Sequence, residues 1–200
     1  MLNEPTLDKL RKMRLAAMAD TWQEQQRSAD LSSLGFDERF GMIVDAEYLH
    51  RDNRRLARLL SEAKLRHSHA CVEDVDAPAM RGLENAVLQK LATCRWIEEH
   101  LNVVITGATG VGKTYLACAL GQQACRKGYR VVYRRSSRLV DELTLARADG
   151  SLARMLTRLA RLDLLILDDW GLTPLRDQDR RDLLEVIEDR DGTRSRACRW

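Results

Sequence analysis

The stretch that most constrains this chain is Gly107-Ala108-Thr109-Gly110-Val111-Gly112-Lys113-Thr114, which fits G-x-x-x-x-G-K-[ST]. Before it stands Val103-Val104-Ile105, a short β-branched run that reads as a buried parallel strand. After it, Leu116, Ala117 and Leu120 recur at helical spacing. Strand, glycine loop and helix in that order are the context of a P-loop, or Walker A, motif. The spacing has a chemical reason. A triphosphate needs several donors aimed at one small anion, and the glycines let successive backbone N–H groups point inward at a helix N-terminus. Lys113 would reach the β- and γ-phosphates as a point charge. The Thr114 hydroxyl would ligate Mg²⁺.

A second stretch supplies acids. Leu162-Asp163-Leu164-Leu165-Ile166-Leu167-Asp168-Asp169 is an apolar strand ending in two carboxylates, the Walker B form, with Asp168 55 residues after Lys113. Asp168 would hold Mg²⁺, directly or through water. Asp169 would polarise the water that attacks the γ-phosphate. Alone, two acids at a strand end are a solvated terminus; beside a P-loop they read as metal and water chemistry.

Composition bounds the rest. The chain has 200 residues, 44% hydrophobic and 32% charged, as in a soluble globular protein rich in helix. Its apolar runs fall short of the ~18 residues of a membrane span, and Met-Leu-Asn-Glu-Pro is no signal peptide. Five cysteines form no C-x-x-C pair, which points to free thiols in a reducing cytoplasm. His67 and His69 lack companion ligands. Net charge is only +3, but Arg126 to Arg161 holds ten basic residues against three acidic ones. That surplus suits either a polyanion partner or a solvated helix face.

Along the chain, Thr6 is placed to cap a helix reaching about Gln26, with Leu7, Leu10, Met13, Ala17 and Trp22 as its stripe. A second helix starts near Phe36 and repeats Phe40, Ile43, Val44 and Tyr48; a third covers Asp52 to Leu65. Their apolar stripes read as the core of a small bundle. Residues 67–82 read as a linker broken by Pro78. A helix over Leu83 to His100 would bring Trp96 or Ile97 near a nucleotide base or against the sheet. Val131-Val132-Tyr133 reads as a strand, and Ser136 or Ser137 as the cap of a helix through Leu139, Leu143 and Leu145. Leu152 to Leu159 gives another helix. Leu172-Thr173-Pro174 is a loop, and Asp177 to Arg190 a helix with Leu183, Leu184, Val186 and Ile187 inward. Alternating helix and strand predict an α/β parallel sheet.

Taken together, Thr106 to Thr114, Leu164 to Gly171, Asp182 to Arg190 and the N-terminal Leu10-Arg11-Lys12-Met13-Arg14-Leu15-Ala16-Ala17-Met18-Ala19 resemble the IstB-like ATP-binding proteins. These are AAA+ helpers of insertion-sequence transposition, related to DnaC-type helicase loaders. The resemblance covers residues 1 to about 192. It implies an N-terminal helical domain (1–66) that engages partners, a linker (67–82) and an AAA+ ATPase domain (83–200), a P-loop sheet with helices on both faces. It further implies ATP with Mg²⁺, ATP-dependent self-association, duplex DNA held without strong sequence preference, and a transposase that receives it. By motif, Gly107 to Thr114 bind phosphates, Lys113 and Asp169 serve catalysis, and Thr114 and Asp168 serve Mg²⁺. Arg134, Arg135 and Arg138 are the candidate DNA contacts.

After Gly192 the pattern departs. Thr-Arg-Ser-Arg-Ala-Cys-Arg-Trp is too basic for a buried parallel strand, whereas relatives continue into a fourth strand, a sensor residue and an arginine finger. The resemblance implies strand order 5-1-4-3-2, so this departure predicts a gap between the first and third strands with unpaired edges, as after a frameshift or premature stop. It also leaves alternatives to a working helper ATPase: a helicase loader, or a nucleotide binder that does not hydrolyse. A small-molecule kinase fits the glycine loop but suits the paired acids less well.

Overall fold

The structure, a computed structural model, describes residues 4–28, 30–75, 82–171, 174–191 and 195–199. Pro78, Leu172, Thr173, Gly192 and Arg194 lie outside the described residues. The chain divides into two compact units, Met1–Ala57 and Arg58–Trp200.

The first unit holds α1 (Glu4–Lys12), α2 (Ala16–Arg27) and the larger part of α3 (Phe36–Ala63). The single helix expected from Thr6 to Gln26 is two. Arg14 takes φ 60°, and the Leu15 N–H reaches back to Leu10 O at 2.9 Å, a left-handed cap of the kind glycine usually supplies. Thr6 therefore lies inside α1 rather than at its cap. Conversely, the two helices expected after Phe36 are one helix of 28 residues. No breaker stands between Tyr48 and Asp52, and Arg51 Nε bridges Glu47 Oε1 one turn back at 2.8 Å.

The stripe expected as core is largely turned outward. Phe36, Phe40, Val44 and Tyr48 are exposed, Phe36 by 72% and Tyr48 by 69%. Ile43 and Glu47, on the neighbouring row of the helix, are buried, as are Leu7 and Ala19. Glu47 accepts the Met18 N–H at 3.3 Å and the Arg51 Nε–H at 2.8 Å. Burial pushes its carboxyl up, but these donors outweigh it and hold the group below its ordinary value.

The second unit is built on a parallel sheet of β1 (Val103–Ile105), β2 (Val131–Arg135), β3 (Leu164–Asp168) and β4 (Ser195–Arg199), in the order β1-β4-β3-β2. Helix α4 (Asn85–Ala92) and the single turn α5 (Arg95–Glu98) precede β1; α6 (Lys113–Arg126) links β1 to β2. Helices α7 (Ser136–Ala148) and α8 (Leu152–Ala160) lie between β2 and β3, and α9 (Asp177–Glu188) follows β3. Strand β3 is buried along its whole length. By its period of two, Leu165 and Leu167 face Leu139, Leu143, Leu159 and Leu183 of α7, α8 and α9. Ile166 faces α6, where a Cβ on Gly121 would stand 2.7 Å from Ile166 Cδ1; only glycine lets that helix lie so close. Leu184, expected inward, is exposed, as is Leu145 of α7. Asp182 is buried in α9 instead, bonded to Arg147 of α7 and to Gln178. Arg190 is wholly buried and donates to Leu159 O at 2.5 Å and Leu162 O at 2.9 Å, closing the end of α8.

The basic tail corrects the sequence reading. Ser195–Arg199 is β4, and it fills the slot between β1 and β3. Ala197 aligns with Val103 and with Ile166, and Cys198 with Val104 and Leu167. A parallel ladder is made by backbone N–H and C=O groups, so an extended segment satisfies both neighbouring strands even where its sequence is not continuously apolar. The expected gap and its two unpaired edges are absent. Strand β1, expected to be buried, has a ladder partner on one side only among the described residues, and Val104 is 57% exposed.

Candidate functional site

The site lies where the C-terminal ends of β1, β2 and β3 meet the start of α6. Gly107, Gly110 and Gly112 have φ of 148°, 86° and 91°. A Cβ at Gly110 or Gly112 would meet nothing within 4 Å. At those two positions glycine is required by backbone conformation rather than by space. Gly112 stands at the N-cap of α6, which presents the helix's free N–H groups to the loop. Lys113 is buried. Its ammonium donates to Gly107 O at 2.5 Å and Ala108 O at 2.8 Å, folding back over the loop.

Across from the loop stands Asp168, fully buried at the end of β3. Its Oδ2 accepts from Thr114 Oγ1 at 3.1 Å and from the Tyr133 hydroxyl at 2.6 Å. Its Oδ1 accepts the Asp169 N–H at 2.9 Å. Burial, and next the Asp168 carboxylate, push the Tyr133 phenol far up, so it stays neutral and donates. Asp169 leaves the strand with φ 57°, a left-handed backbone that costs a non-glycine residue about 1 kcal/mol. Ser136, expected as a helix cap, donates instead to Asp169 O at 2.7 Å, and the α7 N-cap position belongs to Arg135. Arg135 Nε lies 3.8 Å from Asp169 Oδ2. The phosphate loop, Thr114, Asp168 and Asp169 thus meet in one place.

A cleft of about 600 Å³ runs from Gly112 and Lys113 along β1, walled by Leu83, Val87, Leu91 and Val104. Trp96 and Ile97 are buried and do not line it; Trp96 Nε1 donates to Leu91 O at 3.0 Å, and α5 packs beside β4. Sequence periodicity had no means of distinguishing Leu83 and Val87 from core leucines.

The basic candidates separate. Arg134 is held by Glu142 at 3.2 Å and by Tyr133 O at 2.9 Å. Arg135 faces Asp169. Arg138 is exposed on α7. A groove of about 510 Å³ gathers Lys64, Arg134, Arg154 and Arg158, with Leu145 and Met155. The i,i+4 spacing of Arg154 and Arg158 is the one signal of this groove that the sequence carries.

Residues 8–198 match the family profile described as IstB-like ATP binding protein. The match takes in β4 up to Cys198, six residues beyond the point where the sequence pattern was expected to depart. A protein of insertion sequence IS1162 from Pseudomonas fluorescens, named for ATP binding, is 48% identical over 195 residues, 98% of this chain and 84% of that one. An insertion-sequence protein of Mycobacterium tuberculosis, likewise named, is 33% identical over 184 residues, 90% of this chain and 72% of that one. Among solved structures, AMPPCP-bound DnaA from Aquifex aeolicus superposes with a TM-score of 0.60 at 19% identity, over 68% of this chain and 43% of that one. A DnaC helicase loader gives 0.55 at 21% identity, over 66% and 77%. At these identities the likeness is one of fold.

Proposed function

The chain belongs to the IstB-like ATP-binding family, and from that premise we propose that it is a helper ATPase of insertion-sequence transposition, one that binds duplex DNA and presents it to a transposase. The observation that carries the reading is the 3.1 Å bond from Thr114 Oγ1 to Asp168 Oδ2, which joins the phosphate loop to the acidic strand end. Relatives named for insertion sequences, one of them at 48% identity, favour transposition over replication.

In this reading the loop from Gly107 to Thr114 wraps the phosphates with backbone N–H groups. Lys113 exchanges the carbonyls of Gly107 and Ala108 for β- and γ-phosphate oxygens. Thr114 and Asp168 fit Mg²⁺ by their chemistry, being a hydroxyl and a carboxylate, both hard oxygen donors. At a site of this kind Mg²⁺ takes most of its ligands from phosphate and water. When bound, Mg²⁺ supplies charge neutralisation at the phosphates. Asp169 orients and polarises the attacking water. DNA is held through its phosphates by Arg138 and the groove of Lys64, Arg154 and Arg158. The reading includes self-association of the ATP-bound chain and a cytoplasmic location.

The test is ATP hydrolysis with and without duplex DNA, beside Asp169→Asn. DNA-stimulated turnover that the variant loses is the expected result. Turnover unchanged by D169N overturns the role of Asp169, and an ATP-binding chain with no turnover under any condition overturns the ATPase.

A further inference from the structure

We propose that Tyr133 is a positioning residue for Asp168: its hydroxyl fixes the rotation of the carboxylate so that Oδ2 faces Thr114 and the phosphate loop before nucleotide arrives. The proposal rests on the reading of Asp168 as the group that serves Mg²⁺.

The geometry is specific. Tyr133 aligns with Ile166 across β2 and β3, so its side chain leaves the same face of the sheet as Ile166 and, two residues on, Asp168. The phenol is buried, and its hydroxyl meets Oδ2 at 2.6 Å. Oδ1 is engaged from the other side by the Asp169 N–H at 2.9 Å. With a donor on each oxygen, the carboxylate cannot turn without breaking a buried hydrogen bond. Thr114 Oγ1 shares Oδ2 at 3.1 Å, so the oxygen that Tyr133 holds is also the one turned toward the loop. Mg²⁺ tolerates little departure from octahedral geometry, and groups that orient a metal's ligands commonly govern affinity about 10- to 100-fold. A phenylalanine in this place would fill the same space between the strands and lack only the oxygen.

The experiment measures binding of a non-hydrolysable fluorescent ATP analogue to the parent and to Tyr133→Phe, in EDTA and across a MgCl₂ series. In EDTA the two should agree within about twofold, while the MgCl₂ midpoint of Y133F rises about tenfold or more. Tyr129→Phe is the control; its hydroxyl donates to Glu98 at 2.7 Å, away from the loop. A Y133F midpoint equal to or below the parent's overturns the proposal, as does an equal rise in Y129F. A parent that binds no analogue in either buffer overturns the phosphate-loop reading itself, a result distinct from normal parental binding with an unmoved Y133F midpoint. If Y133F does not fold, ¹⁹F spectra of the 3-fluorotyrosine protein decide. The chain has four tyrosines, and Phe variants at Tyr48, Tyr115 and Tyr129 assign the remaining resonance to Tyr133. A shift of that resonance on adding MgCl₂ to the analogue-bound protein supports the role, and no shift overturns it.

Discussion

Nε of Arg135 lies 3.8 Å from Oδ2 of Asp169, tying the last residue of β2 to the first residue beyond β3. The pair is partly exposed, so it adds little to stability. It does set a cation beside the carboxylate proposed to orient water. Arg135→Ala should leave the melting temperature nearly unchanged and raise DNA-free ATP hydrolysis by at most about fivefold, the range open to an exposed pair. A fall in basal hydrolysis would show that Arg135 assists Asp169 rather than restraining it.

Lys113 donates two hydrogen bonds to its own loop. Lys113→Ala should weaken ATP binding by roughly 100-fold or more, since charge-assisted contacts to phosphate are lost. Titration calorimetry measures this directly, and unaltered affinity would remove the loop from the nucleotide site.

Asp182 links α9 to α7. Burial pushes its carboxyl up, but the bonds from Arg147 and Gln178 outweigh that and hold it below its ordinary value of 3.8. A folded pKa below the unfolded one adds stability that is complete above the unfolded value and is lost as pH falls through the folded one. Arg147→Met should therefore lower the urea midpoint by a constant amount from about pH 5 to 8, with the difference closing below about pH 4. A difference that persists or grows in acid would assign the effect to packing.

Lys64, Arg154 and Arg158 share the groove beside α7 and α8. Replacing all three with alanine should weaken binding to every duplex alike and flatten the log–log salt dependence by about 2 to 3. Fluorescence anisotropy over a salt series on two unrelated duplexes reads both effects. A loss confined to one sequence would mean base contact.

The site was more legible than the scaffold around it. Gly107, Gly110 and Gly112 stand at fixed intervals because backbone geometry demands them, and Lys113 follows because phosphate needs a charge at the helix start, so the pattern survives in one dimension. Asp168 and Asp169 were visible for the same reason, at the end of an apolar run. Tyr133 was not, because its bond to Asp168 joins residues 35 positions apart and depends on the register of two strands. Strand β4 was hidden by its arginines, since side-chain composition is silent about backbone pairing. On α3, Phe40, Ile43, Val44 and Tyr48 looked like the inner face, yet of these four Ile43 alone is buried, with Glu47 beside it. Hydrophobicity alone favours the aromatic row; the buried carboxylate is tolerated because donors, Met18 and Arg51 among them, meet it. Arg190 is a similar case, a cation inside the unit because two carbonyls at the end of α8 need a donor.

The placement of β4 also sets an order on biosynthesis. Strands β1 and β3, which carry the phosphate loop and the acids, do not touch as neighbours; each is laced to β4. A ribosome finishes both of those strands well before it reaches Ser195. Until β4 is threaded between them, the emerging polypeptide has Gly107 to Thr114 and Asp168 but no strand holding those two parts in register.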